Sequence, residues 1–290
     1  MEVLQVRDTE TRDLSPARAG AEVESTCRSL SFGGLFKKVD STLRGNPGAE
    51  VESVLRALGL RLAVMAPAFP EQGRTISGGH LHVRGEKVAD IATILRATTS
   101  LRVETVTLEE LGGFTAGIAV LDAESPADLD AVAAALTEEM LPVGSAGLAR
   151  ALGRTSPNAQ AVAPPRCVRV VILAGTANPV LSAQLAALPA SPDVVVRAGR
   201  DLVALTSGLV ELVEGISTAV IATGGETALA ACRALGASAL WPRGELALGV
   251  PWSEIEGRDR TWLVTKAGGF GDSSVLADSV ATLLGRHSHG

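Results

Sequence analysis

The stretch Phe36–Leu58, FKKVDSTLRGNPGAEVESVLRAL, crowds Lys37, Lys38, Asp40, Ser41, Thr42, Arg44 and Asn46 between an apolar run and an amphipathic helix. Arg44 offers a planar fork that suits a carboxylate or a phosphate. Ser41, Thr42 and Asn46 can hydrogen-bond hydroxyls or phosphate oxygens. Asp40 follows a strand and is the candidate catalytic residue, placed to take a proton from a hydroxyl. Alternation along the strand puts Lys37 and Lys38 on opposite faces, and Lys38 is counted with the site. Asn46 and Pro47 also fit a helix start, as N-cap and first helical residue. Capping does not account for Asp40, Ser41, Thr42 and Arg44 together, so the cluster is read as a substrate site.

A second loop, APAFPEQGRTISGGH (Ala66–His80), carries Arg74 among prolines and glycines. It is either a rigid cover over an anionic substrate or a surface turn with a solvated arginine. DTETR (Asp8–Arg12) likewise follows an expected strand and ends in Arg12.

The second half of the chain has loops of another kind. AGTANP, TGGETA and KAGGFGD are rich in glycine and poor in charge, and each precedes a helix. Such loops present backbone N–H groups to phosphates. GSAG, with Ser145, closes the first half in the same style. Neither GxxxxGK[ST] nor a GxGxxG after a first strand is present, which excludes a P-loop and leaves a dinucleotide dehydrogenase unsupported. Asp272 fits an N-cap, or a base or a contact to Mg²⁺. His80 and His82 make a poor metal site, and no metal ligands are assigned; His287 and His289 belong to a terminal tail.

The elements that must hold these loops follow one pattern: an apolar, β-branched run, a polar loop, then an amphipathic helix. It recurs at Leu35–Gly59, Met140–Gly153, Val168–Leu188, Ser217–Gly236 and Thr261–Gly285. RLAVMAPAFP and AGIAVLDAE add two more strands. Val51, Val54, Leu55 and Leu58 form one helical stripe. The pattern predicts an α/β protein of two domains, each with a largely parallel sheet flanked by helices. Ligands in such sheets bind at the carboxyl ends of the strands, where all of these loops lie. GRTSPNAQAVAPPRC lacks periodicity. It sets the expected boundaries at 1–155, a linker at 156–166, and 167–290.

The composition agrees. Of 290 residues, 46% are hydrophobic and 20% charged, so a packed core is expected rather than disorder. The net charge of −6 argues against a nucleic-acid partner. Cys27, Cys167 and Cys232 are widely spaced and are expected to be buried thiols of a reducing, cytoplasmic compartment. No run is long and apolar enough for a membrane span.

Taken in order, KKVDSTLRGNPGAE, APAFPEQGRT, GSAGLARAL, GGETALA, GELALGVP and KAGGFGD resemble the four-carbon acid sugar kinase family over nearly the whole chain. The resemblance implies ATP-dependent phosphorylation of threonate, erythronate or a 3-oxo-tetronate. The first domain would bind the acid sugar and the second ATP, with Mg²⁺. Substrate contacts carried over are Arg12, Asp40, Ser41, Thr42 and Arg44, beside Lys38, Asn46 and Arg74 from the residue reading. Nucleotide contacts are Thr176, which stands where the family has the last serine of an SGS loop, with Gly224, Gly225, Glu226, Thr227, Gly268 and Gly269. Ser145 and Gly271 join them from the glycine-loop reading. The family's opening strand and its Asp-Asp-x-Thr-Gly loop are missing from the sequence, and two segments are shorter than usual. An abridged paralogue or a late start codon is expected, with a homodimer and weak or absent turnover in the first case. The alternative to a kinase is a binding or regulatory protein that keeps the ligand contacts without turnover.

Overall fold

The computed structural model describes residues 6–30, 33–154 and 162–286. The chain divides into two compact units, Met1–Ala159 and Gln160–Gly290. The expected linker falls partly outside the described residues, and its described part, from residue 162, has no regular element. The strand expected ahead of Asp8 lies mostly outside them too, and Val6–Thr11 is not a strand.

The first unit runs α1 (Pro16–Ser29), β1 (Lys37–Lys38), α2 (Pro47–Leu58), β2 (Leu62–Ala66), β3 (Arg74–Ser77), β4 (His80–Val83) and β5 (Glu86–Asp90). It continues through α3 (Ile91–Arg96), β6 (Val103–Thr105), α4 (Leu108–Leu111), β7 (Gly117–Val120), α5 (Pro126–Ala135), β8 (Met140–Gly144) and α6 (Ala146–Arg154). Five strands form a parallel sheet in the order β1-β8-β2-β7-β6. Every residue of β2 is buried, as a central strand covered on both faces requires. The stripe of α2 is buried at Val51, Val54 and Leu55. Pro47 starts that helix, and Gly59 ends it in the left-handed region at φ 68°. The segment after Arg74 is not a plain loop. It is an antiparallel meander, β3-β4-β5, turning at Gly78–Gly79 and Arg84–Gly85, all four at positive φ. Strands this short give too few alternations to stand out in the sequence.

The second unit runs β9 (Arg169–Ala174), α7 (Pro179–Ala186), β10 (Val194–Ala198), α8 (Leu202–Thr206), α9 (Leu209–Val213), β11 (Thr218–Thr223) and α10 (Gly225–Leu235). It ends with β12 (Leu240–Ala247), β13 (Val250–Ile255), β14 (Arg258–Lys266) and α11 (Val275–Leu283). The sheet order is β10-β9-β11-β14-β13-β12. The first four strands are parallel, and β13 and β12 complete it antiparallel. Val170 and Ile172 pack into one core and Val171 and Leu173 into another, so the alternation of β9 feeds both faces of the sheet. From β9 the chain goes first to β10 on one side, then to β11 on the other. The carboxyl ends of β9 and β11 therefore flank a topological switch point, the usual ligand crevice of an open α/β sheet.

Candidate functional site

In the first unit the parallel register sets three loops at one end of the sheet. Val39 donates to the Gly144 carbonyl at 2.8 Å, so the Asp40 loop leaves beside the end of β8. The loop after β2, which leads into Arg74 at the start of β3, lies next in order. Asp40 is the hub. Its Oδ1 accepts from the Thr42 amide at 2.8 Å and from the Thr42 hydroxyl at 2.6 Å. Its Oδ2 accepts from Arg44 Nη2 at 2.7 Å and Nε at 3.2 Å, and from Arg12 Nη2 at 3.4 Å. The turn that permits this is tight: Leu43 donates to the Asp40 carbonyl at 2.9 Å and takes φ 58°.

The electrostatics revise the role of Asp40. Burial pushes its carboxyl up, but the hydrogen bonds from Arg44 and Thr42 and the charge of Arg44 together hold it at about 2. A carboxylate so committed is a weak proton acceptor. Its evident work is to aim two guanidinium groups, one 45% and one 65% exposed, from a side chain only 14% exposed. Lys38 is exposed as a residue, yet desolvation of its ammonium lowers its pKa, with Asp40 and Asp8 opposing and Lys37 and Arg12 adding to the fall. Arg74 is lowered chiefly by burial, then by Arg84, with Asp40 opposing. Arg12 and Arg44 thus sit on the Asp40 carboxylate, and Lys38 and Arg74 feel its charge, a set of cations suited to an anion. Ser41 is half-buried on the same turn.

Other expected contacts serve the fold. Lys37, on the opposite face from Lys38, is paired at 2.7 Å with the buried Glu50, which also accepts from Thr11 at 2.8 Å. Asn46 stands at the N-cap of α2 without capping it through its side chain. Its amide instead donates to the carbonyls of Thr11 at 3.3 Å and Leu14 at 2.9 Å, which fixes the Arg12 loop. With 7% of its surface exposed, it supports the site rather than lining it. Ser145 is 2% exposed and donates to the Ala68 carbonyl at 3.0 Å. This hydroxyl ties β8 to the loop after β2, within the first unit, and offers no surface to a nucleotide.

In the second unit the three glycine-rich loops follow β9, β11 and β14, which are neighbours in register: Thr223 lies opposite both Ala174 and Lys266. Gly224 donates to the Lys266 carbonyl at 2.7 Å, and Thr176 Oγ1 to the Thr223 carbonyl at 3.5 Å. Gly224 must be glycine, because at φ 96° a Cβ would stand 2.6 Å from Thr176 Oγ1. Gly225, the first residue of α10, faces open space, and Glu226 beside it is exposed. Thr227, 2% exposed, packs against Gly175 and supports the loop from beneath. Gly268 and Gly269 lie close to Thr176 and Asn178, and Gly271 close to Val275. Asp272 Oδ1 accepts from the Ser274 amide and hydroxyl at 2.9 and 3.0 Å, which orders the start of α11. The donor set, a hydroxyl and glycine amides at helix N-termini beside open space, fits a polyphosphate. Among the described residues no three His, Cys, Asp or Glu side chains gather to hold a metal ion. His80 does meet a carboxylate, Asp90, at 3.4 Å. No helix among the described residues is long and apolar enough to cross a membrane.

Three residues near these loops escaped the sequence reading. Asp8 lies close enough to act on Lys38, and Arg84, from the β4–β5 turn, on Arg74. Only the meander, invisible in the sequence, brings Arg84 there. Lys266, the last residue of β14, is 2% exposed, and burial lowers its ammonium to about 8. Its signal was a lysine ending an apolar strand.

Fold and loops together define a two-unit α/β protein with an anion-gathering cluster in one unit and phosphate-type loops in the other. Residues 2–102 match the family model described as a sugar-binding N-terminal domain, and residues 169–276 that of a nucleotide-binding C-terminal domain. The chain is 31% identical to a D-threonate kinase of Cupriavidus necator over 93% of its own length and 85% of the relative's. It is 33% identical to a D-threonate kinase of Bordetella bronchiseptica over 95% and 84% of the two lengths. A crystal structure described as a putative tRNA synthase from Salmonella typhimurium shares the fold, with a TM-score of 0.75 at 22% identity over 93% of this chain and 87% of that one. The chain belongs to the four-carbon acid sugar kinase family.

Proposed function

We propose that this protein phosphorylates a hydroxyl of a four-carbon acid sugar, a tetronate or 3-oxo-tetronate, with ATP as donor. The observation that carries the reading is the pair of guanidinium groups, Arg12 and Arg44, held on Asp40 in the unit that matches a sugar-binding domain, with Lys38 and Arg74 within reach of the same charge. Arg44 and Arg12, already aimed by Asp40, grip the substrate carboxylate, and Ser41 and Thr42 bind its hydroxyls. Arg74, whose charge is disfavoured by burial and then by Arg84, gains from an anion bound nearby.

In the second unit Thr176 and the amides of Gly225, Gly268, Gly269 and Gly271 hold the phosphates, with Glu226 at the exposed rim, while the Gly224 amide stays on the Lys266 carbonyl and fixes the turn. When bound, ATP would supply the phosphoryl group and Mg²⁺ would neutralise charge on the phosphates. Phosphoryl transfer asks the protein for positioning and charge neutralisation more than for a strong base, which suits a site whose carboxylate sits near 2. The test supplies ATP, Mg²⁺ and a panel of tetronates led by D-threonate, then detects ADP and the phosphorylated acid by mass. Binding of a tetronate with no ADP formed would replace the kinase with a binding or regulatory protein.

A further inference from the structure

Two buried side chains take hold of the last glycine loop from beneath. Lys266 Nζ donates to the carbonyls of Ala267 at 2.9 Å and Gly268 at 3.4 Å. Gln184, on α7 and wholly buried, donates through its Nε2 to the carbonyls of Phe270 at 3.0 Å and Asp272 at 2.6 Å. Its Oε1, also buried, has no hydrogen-bond partner among the described residues. An unsatisfied buried carbonyl and a buried ammonium both work against stability. These side chains are therefore better explained by what they do to the loop than by what they add to the core.

No cis peptide bond occurs among the described residues, and in a trans peptide the C=O of one residue and the N–H of the next point in opposite directions. Carbonyls 267, 268 and 270 turned toward the buried donors thus turn the amides of Gly268, Gly269 and Gly271 the other way. All three glycines are partly exposed, and none of their amides has a partner among the described residues.

We infer that Lys266 and Gln184 are positioning residues: together they lock the peptide planes of the 267–272 loop so that the amides of Gly268, Gly269 and Gly271 form a nest for nucleotide phosphates. Neither side chain touches the nucleotide. The inference rests on the proposed nucleotide site and adds to it the device that orients its amides.

Titration calorimetry of the full chain separates phosphate recognition from general loosening. The probes are adenosine and a non-hydrolysable ATP analogue. Lys266→Met and Gln184→Met are each expected to weaken the ATP analogue about tenfold or more while leaving adenosine within about twofold; Lys266→Arg, which keeps the donors, is expected to recover much of the loss. Equal losses for both probes, or none, would overturn the clamp while leaving the nucleotide reading intact. A parent chain that binds no ATP analogue would overturn both. Hydrogen exchange on the parent gives a check that needs no variant. The ATP analogue is expected to protect the 267–273 amides more than adenosine does, and equal protection counts against the clamp.

Discussion

Arg44 Nη2 stands 2.7 Å from Asp40 Oδ2, and the same oxygen accepts from Arg12 at 3.4 Å. One carboxylate oxygen thus aims two guanidinium groups from different loops. A fork held this way is pre-organised for a carboxylate, because less side-chain freedom is lost on binding.

Arg44→Ala is expected to weaken binding of the acid sugar about tenfold, roughly 1.4 kcal/mol, and to leave the ATP analogue unchanged. The effect is kept modest because the Arg44 side chain is 65% exposed, and exposed charge pairs are weak. Calorimetry with the tetronate that proves to be the substrate measures it. An unchanged affinity removes Arg44 from the site.

Asp40 also ties the site to stability. Its folded-state pKa, about 2, lies below its ordinary value of 3.8. A depressed carboxylate stabilises the fold above the unfolded value and ceases to do so as pH falls through the folded one. The contribution, about 2 kcal/mol at neutral pH, is expected to fade between roughly pH 4 and pH 2. Denaturant unfolding across that window should show a shallower acid limb in Asp40→Asn than in the parent. Parallel limbs would mean that Asp40 titrates normally.

The βα alternation was plain in the sequence because each unit repeats one strong pattern, an apolar strand and an amphipathic helix. β2 is apolar throughout, β9 is apolar from Val170 to Ala174, and α2 carries a clean stripe. The Asp40 cluster was legible for the same reason, being contiguous. What the sequence hid depends on distance or direction. Asn46 looked like a cap, yet its amide turns to residues more than thirty positions away. Ser145 looked like part of a phosphate loop until its burial was known. Arg84 reaches the site on strands too short to register. The antiparallel edge β12–β13 is broken by two irregularities of register, which blur the alternation that would reveal it.

Gly224 and Gly225 are adjacent but should behave differently. Gly225→Val projects into open space at ordinary φ. It is expected to fold as the parent does, apart from a small loss, and to weaken the ATP analogue at least tenfold by filling the room a phosphate needs. Gly224→Val meets both a strained φ of 96° and Thr176, and is expected to lower the melting temperature by several degrees. Thermal melts read beside calorimetry make the distinction. If Gly225→Val binds the analogue normally, the loop is structural only.

Lys266 should give the stability curve an unusual alkaline limb. Its folded-state pKa, about 8, is below its ordinary 10.5 because burial disfavours the ammonium. Between those values the unfolded chain holds a proton that the folded chain has released, so stability rises with pH in that window. Below about pH 8 both states are protonated and the desolvation cost is carried in full. Lys266→Met is expected to remove the rise and to be at least as stable as the parent at pH 7, provided the lost hydrogen bonds to Ala267 and Gly268 cost less than burying the charge. A bound polyphosphate favours the ammonium and should shift its titration upward. Affinity of the parent for the ATP analogue should therefore fall as pH climbs past about 8, and this fall should be missing in Lys266→Met. Unfolding free energies and calorimetric affinities measured from pH 7 to 10 test both halves. An alkaline limb identical in parent and variant would show that Lys266 does not titrate there.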